Sequence, residues 1–154
     1  MNGTRETYIT CIVGSYTSPG NVREIQAGDA VVFSYLNGSS NKVEHPVIIK
    51  ALSGATLGAK YCHGVAVNDA TVGERVAVRL ATAGTICVKA RWTSTLAPGT
   101  AVYPPATTDG ILETTGDAEN ILGMYVGADT LPVSDSGSCI EVLIVRLSAV
   151  YVEP

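Results

Sequence analysis

The sequence predicts an all-β protein, a compact antiparallel β-sandwich or barrel with at most one or two short helices. Apolar and polar residues alternate with a period of two in most apolar runs, as they do in half-buried strands. Clusters of Gly, Pro, Asn and Asp separate these runs at short intervals. Many short strands between regular turns are typical of sandwiches and barrels rather than of strands joined by long helices.

A chain of 154 residues and 16.0 kDa is expected to fold as one domain. A domain of this size buries about 68–70% of its unfolded surface, so it needs no disulfide or metal to fold. Residues 1–25 carry the least pattern, and we interpret them as an extended N-terminal arm. Residues 26–154 would then form a single β-rich domain.

The first two predicted strands follow the arm. In "AVVFSYL" (30–36), Val31, Phe33 and Tyr35 share one face. "HPVIIKAL" (45–52) comes next, and Pro46 is tolerated there only at a strand start or at a sheet edge.

The stretch "GVAVNDATVGERVAVRL" (64–80) predicts a β-hairpin, since two alternating runs flank a polar turn. In its second run the predicted inward side chains alternate with outward ones. Val76, Val78 and Leu80 point one way, and Arg75, Ala77 and Arg79 point the other. One face of this sheet is therefore expected to pack inward while the other faces solvent.

Two further strands and two helical candidates complete the prediction. In "GTICVKARW" (84–92), the residues Ile86, Val88, Ala90 and Trp92 oppose Cys87, Lys89 and Arg91. "CIEVLIVRL" (139–147) is apolar on both faces and predicts a central strand. The helical candidates are "GNVREIQAG" (20–28) and "GDAENILGMYVGA" (116–128). The second has Asp117 as its N-cap, although the run after Gly123 fits a strand equally well.

The charge pattern argues against nucleic-acid and membrane partners. The net charge is -4, and the ten Lys and Arg residues are scattered singly, whereas nucleic-acid binding needs grouped cations. No stretch approaches the ~18 apolar residues of a membrane span, and the N-terminus lacks the pattern of a signal peptide. Charged residues make up only 16% of the chain, against roughly 25% in typical soluble domains. Either partners cover much of the surface, or small residues such as Thr, Ser, Gly and Ala coat it.

No catalytic, cofactor-binding or metal-binding residue is predicted, and we expect the protein not to be an enzyme. The four cysteines, Cys11, Cys62, Cys87 and Cys139, contain no CxxC pair and are expected to be free and mostly buried. Cys62 and His63 are adjacent in a predicted strand and would point to opposite faces, which argues against a nucleophile–base pair. Turn formation explains the aspartates in turn-like contexts without catalysis, namely Asp29, Asp69, Asp109, Asp117 and Asp135.

The order of the strands resembles that of the small capsid cement, or decoration, proteins of tailed bacteriophages. The plan consists of a "GD-V" strand start, a "GVAL-DA-AGE-V-V" hairpin, an "I--G--VY-D--G-VT" hairpin, an "IG-A" strand and a closing "V-V-L" strand. It covers residues 27 to 147, and a longer segment than expected separates its first strand from the hairpin. The residues that match are Gly28–Asp29, Gly64–Val65–Ala66, Asp69–Ala70, Gly73–Glu74, Gly99, Val102–Tyr103, Gly110 and Gly123.

The resemblance implies a β-rich virion protein, often trimeric, that binds the outer capsid surface and reinforces the shell. Its partners would be the major capsid protein and other copies of itself. It would be synthesised in the host cytoplasm and located on the virion. On this interpretation the arm contacts the capsid or a neighbouring copy, either in a groove or as an added strand, through Tyr8, Ile9, Ile12 and Val13.

The sequence is also compatible with two other function classes. One is a β-sandwich module of a virion or adhesin that binds carbohydrate or a receptor, which would need exposed aromatic residues clustered on one face. The other is a hydrolase with a dispersed site, which would need a deep pocket and a carboxylate or histidine with a shifted pKa.

Overall fold

The computed structural model describes residues 8–14, 24–36, 45–53, 61–146 and 151–153. The predicted all-β class is confirmed. The strand pairings are antiparallel except for β1 with β3, β2 with β11 and β6 with β8. The strands are β1 (Tyr8–Val13), β2 (Ala30–Leu36), β3 (Val47–Lys50), β4 (Gly64–Ala66), β5 (Arg75–Leu80), β6 (Thr85–Trp92), β7 (Ala101–Val102), β8 (Leu112–Glu113), β9 (Gly123–Tyr125), β10 (Ser134–Ile144) and β11 (Tyr151–Glu153).

The first sheet closes on itself. Its hydrogen-bonded order is β11-β2-β3-β1-β5-β4, and β4 pairs again with β2, so β2, β3, β1, β5 and β4 form a closed barrel. The edge of β2 that lies away from β3 is shared. Ala30 and Val31 pair with β4, and residues 34–36 pair in parallel with β11. Pro46 immediately precedes β3, as its missing N–H requires.

Both faces of β2 are buried, each in a different core. Val31 and Phe33 belong to the cluster inside the barrel, as their predicted shared face requires. Val32 belongs to a larger cluster between the barrel and the second sheet. Because successive side chains of a strand point to opposite faces, β2 is a wall common to the two cores.

The predicted hairpin at 64–80 is confirmed, since β4 and β5 pair antiparallel. Val76 and Val78 are buried inside the barrel, while Arg75 is exposed. Gly64 in β4 lies so close to β5 that an added Cβ would approach the Arg79 carbonyl oxygen to 2.5 Å.

The second sheet has the order β7-β9-β10-β6-β8, with β10 at its centre, as its apolar sequence predicts. Ile86, Val88, Ala90 and Trp92 of β6 are buried. The outer strands of this sheet are β7 and β8. Tyr103, which directly follows β7, forms two backbone hydrogen bonds with Glu113 of β8 and so connects the two outer strands.

Some predicted elements are corrected. Residues 8–13 of the predicted arm form β1, which pairs with β5 on one side and β3 on the other, so this segment is a barrel strand. Residues 1–7 and 15–23 of the predicted arm lie outside the described residues. The described end of the first helical candidate is not helical, because Ile25 bridges to Ala70.

The second helical candidate is a single 3-10 turn, Ala118–Asn120, followed by β9. Asp117 is its N-cap residue, but its side chain makes no capping hydrogen bond. Both helices in the described ranges, this one and Ala81–Ala83, have three residues, and neither could cross a membrane.

Candidate functional site

The most buried carboxylate of the described residues belongs to Asp29, which is 2% exposed. Its Oδ2 lies 3.2 Å from Nζ of Lys50 on β3, and its Oδ1 lies 3.0 Å from Nζ of Lys89 on β6. The backbone N–H of Gln26 also donates to Oδ2 at 2.8 Å. Since β3 belongs to the barrel and β6 to the second sheet, Asp29 connects the two sheets. This is the geometry of a structural ion pair, because both oxygens are occupied.

A second buried carboxylate lies where β6 meets β8. Oε2 of Glu113 is 3.4 Å from Nε of Arg91. Burial raises the pKa of Glu113 above its ordinary value, while Arg91 and hydrogen bonding with Thr107 act in the opposite direction. Among the described residues, no other carboxyl contributes to this shift. Glu113 therefore forms a cross-strand ion pair rather than half of a carboxylate pair for acid–base catalysis.

The adjacent Cys62 and His63 make separate hydrogen bonds. The Cys62 thiol donates to the Gly64 carbonyl oxygen at 3.3 Å, and burial raises its pKa to about 12. Nδ1 of His63 accepts the backbone N–H of Phe33 at 3.0 Å, and the two rings stack. This His63 contact lies where β2 changes partners from β4 to β11. The Cys62 and His63 side chains therefore each bond to a backbone group and contribute to the fold.

The other predicted turn aspartates divide into two groups. Asp69 accepts the Ala27 N–H, and Asp109 accepts both the backbone N–H and the hydroxyl of Ser53, which fits their structural interpretation. Asp135 is different, because it lies within β10 rather than in a turn.

The expectation that the cysteines are mostly buried is wrong for two of them. Cys11 and Cys62 are buried, whereas Cys87 and Cys139 are exposed on β6 and β10. The sequence contained the signal for Cys87, since alternation in β6 places it opposite the buried residues.

Two of the clefts on the described surface stand out, and both are small. Their volumes are about 220 and 250 Å³, below the roughly 300–1,000 Å³ of pockets that enclose drug-sized ligands. The first is lined by Tyr103, Pro104, Pro105, Ala106, Thr115, Gly116, Asp117 and Asn120. The second is lined by Glu24, Ile25, Gln26, Asp69, Ala70, Thr71 and Glu74.

Two of the three carboxylates that line the second cleft accept hydrogen bonds from nearby backbone. Asp69 accepts the Ala27 N–H, and Glu74 accepts the Thr71 N–H at 2.9 Å. Within the described ranges, no group of three His, Cys, Asp or Glu residues is arranged to hold a metal ion.

Exposed aromatic residues do not cluster in the described part of the chain. Trp92, Tyr125 and Tyr61 are buried, and Trp92 donates its indole N–H to the Pro132 carbonyl oxygen at 2.7 Å. Tyr103 is half-buried, while Tyr8 is 47% exposed. The aromatic platform that a carbohydrate-binding module needs is therefore not found among these residues.

The four predicted contact residues all lie on β1, but they face different ways. Ile9 and Val13 pack in the barrel core, and Val13 is only 3% exposed, so in this fold its side chain faces the core instead of a partner. Tyr8 is exposed and Ile12 is half-buried. Partner contact through these two residues remains a prediction.

Exposed apolar side chains are distributed over several parts of the surface. Met124 of β9 lies opposite Leu143 of β10 on the outer face of the second sheet, and Val145 follows two residues after Leu143. Other exposed apolar residues lie outside this sheet, at Val67, Val72 and Val133.

The sequence matches no protein-family model. It also matches no curated protein. Among solved structures, the fold is similar to the crystal structure of the head fiber gp8.5 N base in bacteriophage phi29, with a TM-score of 0.57 and 17% sequence identity. The match covers 94% of this chain and 98% of that chain. At this identity, the similarity shows a shared fold.

Proposed function

We propose that this chain is a structural protein of a bacteriophage virion that binds the outer capsid surface and stabilises the shell. The observation that carries this proposal is the end-to-end structural similarity to the base of a phage head fiber. The order of the sequence motifs independently resembles capsid cement proteins. The structural similarity and the sequence motifs are different kinds of observation, and both favour a protein located on the surface of a phage head.

The surface chemistry fits a role in assembly. Only 16% of the residues are charged, and interface cores are depleted in Lys, Glu and Asp. The described clefts are small, so binding energy would come from a broad contact rather than from an enclosed ligand. Repetition on a lattice, or linkage of copies in a trimer, would strengthen such contacts through effective concentration.

Within this proposal, β1 supplies contacts with the capsid through Tyr8 and Ile12. Ile9 and Val13 hold the strand from inside the barrel, so the outward side chains are presented from a rigid element. Exposed tyrosines are effective anchors because they bury a large area and retain a polar end.

The proposal is tested by binding to empty shells assembled from the major capsid protein encoded in the same genome. Purified protein should sediment with these shells, and the shells should resist heating to a higher temperature when it is bound. Tyr8→Ser should weaken binding about tenfold or more, as loss of an aromatic anchor typically does.

The matched control is Val72→Ser, an exposed apolar residue on the β4–β5 turn, which should leave binding unchanged. Failure of the unmodified protein to sediment with the shells, or to change their thermal resistance, would overturn the proposal. Equal losses in the two variants would instead remove β1 as the contact element.

The proposed trimer is tested separately. Sedimentation equilibrium should give three times the 16.0 kDa mass of one chain. A single-chain mass at every accessible concentration would contradict a trimer in solution.

A further inference from the structure

Two exposed thiols lie on the outer face of the second sheet. In the antiparallel pairing of β6 with β10, Cys87 lies opposite Glu141 and Cys139 lies opposite Lys89. The cysteines are therefore offset by two residues and share one face, which makes them diagonal neighbours.

The two side chains also interact. Partial burial is the main cause that raises the pKa of Cys87, followed by the charge of Cys139 and by a hydrogen bond with its side chain. Both residues are exposed, so a small reagent in solvent reaches them.

The other two thiols, those of Cys11 and Cys62, are buried instead of exposed. Cys11 faces the barrel core, and burial raises its pKa to about 11. Cys62 is 0% exposed, and burial raises its pKa to about 12. Since the thiolate is the reactive form, neither is expected to react while the protein is folded.

We propose that Cys87 and Cys139 form a dithiol modification site that reacts with low-molecular-weight disulfides, such as glutathione disulfide, to give an intramolecular disulfide. One cysteine, as its thiolate, attacks the reagent, forms a mixed disulfide and releases one thiol. The second cysteine then attacks the protein sulfur, which forms the Cys87–Cys139 bond and releases the second thiol. The two protein thiols are oxidised, the reagent is reduced to two thiols, and their protons go to those products.

Forming this bond requires a local movement of the backbone. Diagonal neighbours have Cα atoms about 7–8 Å apart, slightly more than the ~5.5–6 Å usual for a disulfide, so the strands must approach slightly. The register of β10 against β6 shifts between Ser134 and Ser138, and Gly137 has φ of 97°. This irregularity ends next to Cys139, where it allows a small movement. A strained, exposed disulfide is readily reduced, so the bond is expected to be reversible.

The experiment treats the folded full-length protein with glutathione disulfide and measures intact mass. We expect loss of two hydrogen atoms and no retained glutathione. Trypsin should then yield one linked product of peptides 80–89 and 92–146, which hold Cys87 and Cys139 respectively. Excess reduced glutathione should restore the starting mass.

Cys87→Ser and Cys139→Ser are the matched controls. Each should retain one glutathione, because its mixed disulfide has no neighbouring thiol to displace it. Circular dichroism checks that both variants are folded, and Cys62→Ser should behave like the unmodified protein where it folds.

Two results would overturn the proposal. One is an unmodified protein that retains glutathione on Cys87 or Cys139 without forming the linked peptide. The other is a linked peptide that joins two copies of the chain instead of one, as shown by a doubled intact mass. Neither outcome depends on whether the protein binds a capsid.

Discussion

Asp29 shows how one side chain can join two sheets. Its carboxylate forms ion pairs with Lys50 from the barrel and with Lys89 from the second sheet, and all three side chains are largely buried. The packing around it is also close. An added Cβ at Gly110 would approach Cβ and Cγ of Asp29 to 3.2 Å. Replacing Asp29 would therefore leave two ammonium groups without their shared partner in a site with little room to rearrange.

We expect Asp29→Ala to lower the free energy of unfolding by about 3–5 kcal/mol, the range for removing one partner of a buried ion pair. Urea denaturation followed by Trp92 fluorescence measures this change. Asp135→Ala, an exposed aspartate of β10, is the control and should cost less than about 0.5 kcal/mol. Similar small losses for both variants would contradict a connecting role for Asp29.

The burial of Glu113 makes the stability of the fold depend on pH. Its pKa in the folded protein is raised above the ordinary value of 4.5, mainly by burial. At pH values between the ordinary pKa, which applies to the unfolded chain, and the raised pKa of the folded protein, the folded state binds more protons than the unfolded state. The free energy of unfolding therefore falls as pH rises from about 4.5 through the folded pKa.

In Glu113→Gln this pH-dependent contribution is absent. Relative to the variant, the unmodified protein should be most stable below pH 4.5 and should lose that advantage as pH rises. Urea denaturation of both proteins from pH about 4 to about 8 measures the difference. Glu119→Gln, at an exposed position, serves as the control. An advantage of the unmodified protein that grows with pH would show that Arg91 outweighs burial.

For individual side chains, the sequence predicts the structural role better than it predicts the extent of burial. It indicates that Asp29 and Asp109 are structural, but it cannot show that they are 2% and 8% exposed. Their burial depends on Lys50, Lys89 and Ser53, which reach them only after distant strands have packed. For Cys87 the alternation of β6 was sufficient, whereas its pairing with Cys139 requires the register of two strands that are far apart in sequence.

Among the elements, β9 is short but closely packed against the central strand. It pairs with β10 on one side and with β7 on the other. An added Cβ at Gly123 would lie 1.9 Å from the Leu143 carbonyl oxygen, which is backbone of β10 and cannot rotate away.

Gly123→Ala should therefore destabilise the protein by about 1–3 kcal/mol, the usual range for overpacking, with a value near its upper end. Thermal unfolding followed by circular dichroism measures this loss. Met124→Ala, at the exposed neighbouring position, should have a much smaller effect. If the alanine variant at 123 unfolds like the unmodified protein, β9 can move away from β10 at little cost.

The longer strands could be predicted because alternation extends over four or more residues, as in β5, β6 and β10. The strands β7, β8 and β9 have only two or three residues, which is too short for a period to emerge. Residues 8–13 belong to the predicted extended arm but form β1. Their alternation indicates a strand, because Ile9, Cys11 and Val13 alternate with outward side chains. The flanking polar residues concealed that pattern.

In the whole molecule the two cores share β2, which should couple their unfolding. Val31 faces the barrel interior and Val32 faces the larger cluster, so neither core can lose this strand without exposing the other. We expect Trp92 fluorescence, which reports on the larger cluster, and far-ultraviolet circular dichroism to show one coincident unfolding transition.

Truncation on either face of β2 should shift both signals together. Val32→Ala and Val31→Ala are each expected to lower the free energy of unfolding by about 1–3 kcal/mol, since each removes buried methyl groups. Separation of the fluorescence and circular dichroism transitions in either variant would show that the barrel and the second sheet unfold independently.

The ring formed by β2, β3, β1, β5 and β4 limits how copies of this protein can meet. An open sheet can recruit a neighbour through the unpaired N–H and C=O groups of its border, a contact that tolerates almost any sequence. Here most barrel backbone is already paired within the chain, and Tyr103 and Glu113 connect the outer strands of the other sheet. A contact between the barrels of two copies would therefore depend largely on side chains, whose shape and polarity distinguish the correct neighbour from an unrelated one. At high local concentration, a closed ring of strands protects a chain against indiscriminate fibre growth.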